Sequence, residues 1–340
     1  MMIRGDRDDG HGDAVACAIA PACVGNIGVG FDLLGHTFFG PADLACVRRQ
    51  EAGVTITAIH GDLSGVADIP RESALNTAGR ALQAMVDDLS LPFGFSLELH
   101  KGIPLGSGMG GSAASAVAAV VAANALLDTP LAPAELYPFA LRGESASTDA
   151  APGDNVGPML LGGLALAPTQ VLRKLAVPAG LHCVVLKPDM SIETRRAREV
   201  LAAPFPLDVC IQQTTHLALV LTGLASGDFD LIRLGLEDAM VEPRRAHLIP
   251  GFYDIKAAAL ANGALGASIS GSGPTVFAWF DTQESAALAV ESLLAVARQH
   301  HVGVAAWVSP VEGPSARIVD RQTALAMVTS GSLKQNPFKL

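Results

Sequence analysis

The chain has 340 residues, half of them hydrophobic and 16% charged, with 33 Asp and Glu against 23 Lys and Arg and a formal net charge of −10. A polypeptide of this size is not disordered: it buries roughly three quarters of the surface its unfolded form exposes and needs no structural metal to close a core. The acidic balance and the scattered arginines leave no positive field for a phosphodiester backbone or an anionic bilayer, which argues against nucleic-acid and membrane partners.

The first residues, with Asp6, Asp8, Asp9 and Asp13 beside Arg4 and Arg7, lack the basic-then-apolar order of a signal peptide. Cys17, Cys23, Cys46, Cys183 and Cys210 make an odd set with no C-x-x-C pair and no histidine at zinc-site spacing, which points to a reducing, cytoplasmic setting. Segments 15–20, 44–48 and 54–59 are apolar or alternating and predict strands. The pattern returns at 93–100, with Phe93, Phe95, Leu97 and Leu99 on one face, and completes an early mixed sheet. Between them Leu75, Ala78, Leu82, Met85 and Leu89 recur at helical spacing, and Ser73 is placed to cap a helix over 73–89.

The most apolar run, 113–127, contains Ser115 and Asn124 and is shorter than a bilayer span, so it predicts a buried helix. A short helix at 133–141 leads into a polar, small-residue stretch, 143–157, that holds Glu144, Ser147, Thr148, Asp149, Asp154 and Asn155. Past a weak boundary at 170–180 come a strand at 181–186, helices at 208–225, 228–240 and 251–262, strands at 267–269 and 275–280 around a glycine turn, a helix at 283–299 and a strand at 302–308. That order fits a split βαβ, ferredoxin-like layer. The expected architecture is α+β, with one domain over 14–170, a second over 171–310, a cleft between them and an uninformative tail at 311–340.

Three glycine-rich stretches carry the chemistry. In the strongest, Pro104, Leu105, Gly106, Ser107, Gly108, Met109, Gly110, Gly111, Ser112 and Ala113 join a strand to a helix. Glycines without Cβ atoms let successive backbone N–H groups converge on an anion while the helix turns its positive end toward it, and phosphate is the natural guest. Tight packing of a helix on a sheet accounts for one or two of these glycines only. Gly106-x-Gly108-x-x-Gly111 also spells a dinucleotide fingerprint, but the proline-broken segment 127–133 leaves no second strand closing with an acid, and no P-loop lysine motif occurs. The second stretch, 269–275, is longer than a plain hairpin turn needs; its Ser270, Gly271 and Ser272 amides close over a ligand or form an ornate turn. The third runs from Gly25 through Asn26 to Asp32.

In this order and at these separations, the three stretches resemble the GHMP small-molecule kinases over roughly 14–308. Within that superfamily the chain looks most like the homoserine kinases, through Asn26 to Asp32, through 191–201 around Thr194 and Arg198, and through 241–250 around Arg245. The resemblance implies an N-terminal ribosomal-S5-like domain and a C-terminal ferredoxin-like domain. It implies ATP and Mg²⁺ as cofactors, L-homoserine as substrate in a step of threonine biosynthesis, and a homodimer as the family expectation.

Carried over residue by residue, it makes Pro104 through Ala113 the triphosphate loop, with Ser112 and Glu144 as Mg²⁺ ligands. Asn26 and Asp32 hold the reacting hydroxyl, Thr194, Arg198 and Arg245 the carboxylate and backbone end, with Gly271 also at the substrate, and Asp154 meets the ammonium. Hard oxygens suit Mg²⁺ and a planar guanidinium suits a carboxylate. Phosphoryl transfer asks mainly for positioning, so Asp154, the candidate base, is expected to position. Taken singly, Glu144 reads as a solvated acid at a helix end, Asp32 as a helix cap and each arginine as surface. Three departures from the family pattern stand out: Cys23, Val24 and Gly25 where Thr-Ser-Ala is usual, Gly111 for the first of two serines, and Pro152 and Gly153 for His-Ala before Asp154. A kinase for another small alcohol and a non-catalytic sensor of the same fold are the other readings.

Overall fold

The structure, a computed structural model, describes residues 14–146 and 152–339, and its strands fall into two sheets. Residues 147–151 of the polar stretch, including Ser147, Thr148 and Asp149, and the N-terminal segment 1–13 lie outside the described residues. The first sheet contains β1 (Val15–Gly25), β2 (Leu34–Gln50), β3 (Val54–His60), β4 (Gly94–His100), β5 (Leu164–Leu166), β6 (Arg173–Lys174) and β11 (Arg317–Val319). The second contains β7 (His182–Pro188), β8 (Gly266–Ile269), β9 (Val276–Phe280) and β10 (Val304–Pro310). The helices of the first half are α1 (Thr77–Asp88), α2 (Gly111–Asn124), α3 (Tyr137–Glu144) and α4 (Val156–Leu161). Those that follow are α5 (Thr194–Glu199), α6 (Leu207–Ser226), α7 (Phe229–Gly235), α8 (Glu242–Arg245), α9 (Phe252–Ala261), α10 (Gln283–Ala297) and α11 (Arg321–Ser330).

The order of the first sheet is β11-β1-β2-β4-β3, antiparallel except that β3 runs parallel to β4. Helix α2 packs on β1 and β2, and its alanines let the backbones approach closely. Burial on nearly every side explains why α2 reads as a mostly apolar run with no polar face. The second sheet has the order β10-β7-β9-β8 with every pair antiparallel, the ferredoxin-like arrangement. Side-chain alternation divides it: Val184, Leu186, Val276, Ala278 and Phe280 pack under α9 and α10. Cys183, Val185, Phe277 and Trp279 point the other way and join the core of the first sheet. Across that seam Trp279 Nε1–H donates to His36 Nε2 at 3.1 Å, and burial pushes the His36 imidazole down to about 4, holding it neutral.

Several expectations change. Helix α1 begins at Thr77 rather than 73, because Asn76 takes an extended backbone (φ −108°, ψ 132°) and its Oδ1 accepts from the Ala78 and Gly79 N–H groups. Asn76, not Ser73, is the cap. The helix expected over 228–240 stops at Gly235, and Asp238 accepts instead from the Met240, Val241 and Glu242 N–H groups to start α8. Cys17 and Cys46 are opposite each other on β1 and β2 and form a disulfide, their Cα atoms 4.1 Å apart. Strand register, which spacing along the chain does not reveal, makes that pair, and it runs against the reducing setting expected from the cysteine pattern.

Residues 311–339 are not a tail. Strand β11 pairs with the free edge of β1, and Val319, Ala324, Met327 and Leu333 pack on Cys17, Ile19 and Leu44. The expected division at 170/171 falls inside the β5–β6 connection, whose second strand still belongs to the first sheet. Among the described residues no helix is long and apolar enough to cross a membrane. Met327 is fully buried in this C-terminal cluster, so Met327→Ala is expected to lower the unfolding free energy by about 2–5 kcal/mol in a urea titration. A loss under about 0.5 kcal/mol, the size of an ordinary surface change, would show that the segment is not docked in solution.

Candidate active site

The connection from β4 to α2 is held from beneath. Lys101 places its Nζ against the Asp43 carboxylate, the Gly111 carbonyl at 2.7 Å and Ser115 Oγ at 2.8 Å. The other Asp43 oxygen accepts the Gly102 and Ile103 N–H groups, each at 3.1 Å. A buried ammonium and carboxylate are tolerated only when paired and hydrogen-bonded, so this network fixes both ends of the glycine loop relative to β2.

Within the loop Gly106, Gly108 and Gly110 take φ of 60°, 75° and 71°, the left-handed region that residues with a Cβ adopt poorly. Groups from the second half of the chain then take up the loop carbonyls. Gly106 O accepts from Ile192 N–H at 2.9 Å, Gly108 O from the Ser270 hydroxyl at 2.7 Å and Ser107 O from Thr275 N–H at 3.3 Å. Among the described residues no side chain caps the first amides of α2. With its carbonyls engaged and its amides uncapped, the segment presents an anion-binding surface.

Pro104, Leu105, Gly106, Ser107, Gly108, Gly110, Gly111 and Ser112 line a cavity of about 380 Å³. Met109 and Ala113 do not. The left-handed turns on either side send the Met109 side chain into the core, and Ala113 lies on the buried face of α2. The same cavity is lined by Asn26, Asp32, Glu144, Asp154, Thr194, Arg198, Arg245 and Gly271, so positions far apart in the chain converge there. The Ser112 hydroxyl donates to Glu144 Oε1 at 2.6 Å. These hard oxygens beside a phosphate-type loop fit Mg²⁺, which keeps water and phosphate oxygens as its remaining ligands.

Asn26 is the hub of the opposite wall, at φ 68°. Its N–H donates to Asp154 Oδ2 at 3.0 Å and its Nδ2 to Gly271 O at 2.9 Å, while its Oδ1 accepts from Asp32 N–H at 2.9 Å. Arg198 grips the Asp32 carboxylate with both terminal nitrogens, at 3.0–3.2 Å. Arg245 Nε donates to Ala197 O at 2.8 Å and Nη1 to Gly271 O at 2.9 Å. Both guanidinium groups approach the Phe31 ring, at 5.6 Å for Arg198 and 5.3 Å for Arg245. Burial, and then the negative charge of Asp32, pushes Asp154 up to about 7. Burial and then the neighbouring Arg198 bring Arg245 down to about 10, still cationic at neutral pH. Two carboxylates balanced by two guanidinium groups match a small zwitterion better than a neutral sugar or a simple anion.

Two departures from the family pattern have a local cause. A Cβ on Gly25 would lie 2.7 Å from Asp154 Oδ2, and one on Gly153 would lie 1.8 Å from Tyr137 Oη, which is itself bonded to Ala167 O at 2.7 Å. Glycine at both positions lets Asp154 reach Asn26. Sequence reasoning missed Asn155, whose Nδ2 donates to Asp154 Oδ1 at 3.1 Å, and the Asp43–Lys101 pair. Asn155 stands next to Asp154 and is legible from it; the pair of Asp43 on β2 and Lys101 just past β4 leaves no periodic signal.

Two family models match the chain, "GHMP kinases N terminal domain" over residues 76–163 and "GHMP kinases C terminal" over 220–299. The chain is 52% identical over 305 residues to a homoserine kinase of Xanthomonas campestris pv. campestris, covering 89% of this chain and 94% of that protein. It is 49% identical, with the same coverage, to a homoserine kinase of Xylella fastidiosa. The crystal structure of a homoserine kinase from Cytophaga hutchinsonii superposes with a TM-score of 0.85 at 34% identity, over 93% of this chain and 100% of that one. A Cβ on Gly108 would lie 2.4 Å from the Ser270 carbonyl oxygen at a left-handed φ. Gly108→Ala is therefore expected to weaken nucleoside triphosphate binding more than about tenfold in calorimetric titration, with the fold retained by circular dichroism.

Proposed function

The chain belongs to the homoserine kinases, a family of the GHMP kinases, and from that premise we propose that its cavity transfers the γ-phosphoryl group of ATP to the side-chain hydroxyl of L-homoserine. The observation that carries the residue-level reading is that the uncapped glycine loop and the array of Asp32, Asp154, Arg198 and Arg245 share one cavity. The backbone N–H groups of 105–112 receive the triphosphate. Ser112 and Glu144 would hold Mg²⁺, which supplies neutralising charge at the phosphates when bound. The hydroxyl oxygen of the substrate forms its bond to the γ-phosphorus as the bond to the β–γ bridging oxygen breaks, ADP leaves, and the hydroxyl proton passes to solvent.

Asn26 and Asp32 orient the hydroxyl end. Arg245, through Nη2, which has no hydrogen bond among the described residues, takes the carboxylate together with Arg198 and Thr194. Asp154 takes the ammonium. Such an array discriminates by charge: mevalonate brings no ammonium to Asp154, and galactose brings neither charge. The loose transition state of phosphoryl transfer needs in-line placement more than a strong base, so Asp154 acts by positioning.

ADP release by the purified protein with ATP and Mg²⁺, offered L-homoserine, mevalonate, galactose, serine and threonine in turn, tests the substrate. Turnover confined to homoserine is expected, with KM raised more than about tenfold in an Arg245→Leu variant of unchanged melting temperature. Turnover of a different alcohol would discard the pocket assignment and keep the phosphate chemistry.

Asp154 changes charge near neutrality, and only its ionised form, populated above about pH 7, attracts an ammonium. The KM for homoserine is therefore expected to fall as pH rises from about 6 to about 8 in the native enzyme and to stay flat in Asp154→Asn. A collapse of kcat in that variant at unchanged KM would instead make Asp154 the base.

A further inference from the structure

The face of the first sheet turned away from α2 carries a second cluster of ligand-type side chains. His60, the last residue of β3, and His100, the last of β4, are register partners in the parallel pair, and Glu98 lies two residues before His100 on the same face. The imidazole rings stack with centroids 4.8 Å apart and planes 23° from parallel. His60 Nε2 lies 3.3 Å, and His100 Nε2 3.0 Å, from the same oxygen, Glu98 Oε1. One donor atom from each residue lies within 4.8 Å of the others. The remaining nitrogen of His100, Nδ1, is buried and without a hydrogen-bond partner among the described residues, so Nε2 is the nitrogen this ring offers to an incoming group.

None of the three lines the active-site cavity. Glu98 and His100 border a separate cavity of about 290 Å³ between the sheet and α11. Tetrahedral zinc with nitrogen and oxygen ligands at about 2.0–2.1 Å sets neighbouring ligand atoms about 3.3–3.4 Å apart. The His60–Glu98 spacing of 3.3 Å matches that edge, and the His100–Glu98 spacing of 3.0 Å is short of it by a few tenths. Two imidazoles and one carboxylate suit borderline-soft first-row cations, whereas Mg²⁺ and Ca²⁺ prefer oxygen shells.

We propose that His60, Glu98 and His100 form a binding site for a divalent cation of the zinc type, separate from the nucleotide's Mg²⁺ site. Strand β3 is the outermost strand of its sheet, and the cation clips its C-terminal end to β4. Water fills the coordination positions the protein leaves open.

Calorimetric titration of the nucleotide-free full-length protein with ZnCl₂ at neutral pH tests this, alongside His60→Ala, Glu98→Gln and Glu144→Gln. The His60 side chain is 52% exposed, so its removal leaves the core untouched; circular dichroism verifies each variant. One zinc ion per chain is expected at micromolar affinity in the native protein and in Glu144→Gln, undiminished by millimolar Mg²⁺ and accompanied by a rise in melting temperature. His60→Ala and Glu98→Gln should each weaken it more than about tenfold. No binding at about a hundred micromolar zinc, or binding that survives His60→Ala and disappears in Glu144→Gln, would overturn the proposal, the latter by assigning zinc to the nucleotide site.

Discussion

The buried pair of Lys101 and Asp43 is the constraint on which the active site rests. One carboxylate takes the ammonium, the Ser115 hydroxyl and two backbone N–H groups, and the ammonium reaches on to the carbonyl of Gly111 at the head of α2. Removing either partner of such a pair leaves an uncompensated buried charge, a loss of about 3–5 kcal/mol in comparable sites. The network therefore fixes where the glycine loop leaves β4 and where it enters the helix. Between those points the loop follows left-handed turns, and its carbonyls turn toward donors from 192, 270 and 275.

The cavity wall opposite the glycine loop depends on contacts between the two halves of the chain. Asn26, Asp32 and Asp154 come from the first half and Arg198, Arg245 and Gly271 from the second, and the Gly271 carbonyl accepts from both Asn26 and Arg245. Those bonds hold only if the two sheets keep their relative position. The inward face of β7 and β9 supplies that, because Cys183, Val185, Phe277 and Trp279 are buried in the same core as the first sheet. The separation into two sheets is thus a separation of topology, and the cavity sits where their shared packing brings charged residues from both halves together.

Small residues near Asp154 have the same logic. Its carboxylate occupies the space a side chain on Gly25 would fill, and the Tyr137 hydroxyl occupies the space beside Gly153. Glycine at these positions departs from the family pattern, yet it makes room for Asp154 and for its bonds to Asn26 and Asn155. The burial that raises Asp154 toward neutrality is the consequence of this close packing.

Local patterning in the sequence determined most of the elements and the phosphate-type loop, while the charged residues around that loop were named only by the resemblance to the homoserine kinases. Alternation marks β3 and β4, short apolar runs mark β7 and β9, helical spacing marks α1 and α10, and the glycines of 106–111 mark the loop, because each signal is set by residues adjacent in the chain. Tertiary structure alone decided which of those signals meet. The Cys17–Cys46 bridge follows from strand register, β11 and α11 from an edge and a surface that only the folded sheet presents, and the cap at Asn76 from a backbone turn. The Asp43–Lys101 network, the exclusion of Met109 and Ala113 from the cavity and the meeting of His60 with His100 likewise rest on distances through space. A sequence records which side chains are present and how they repeat; the packing of one element on another sets which of them lie within a few ångströms.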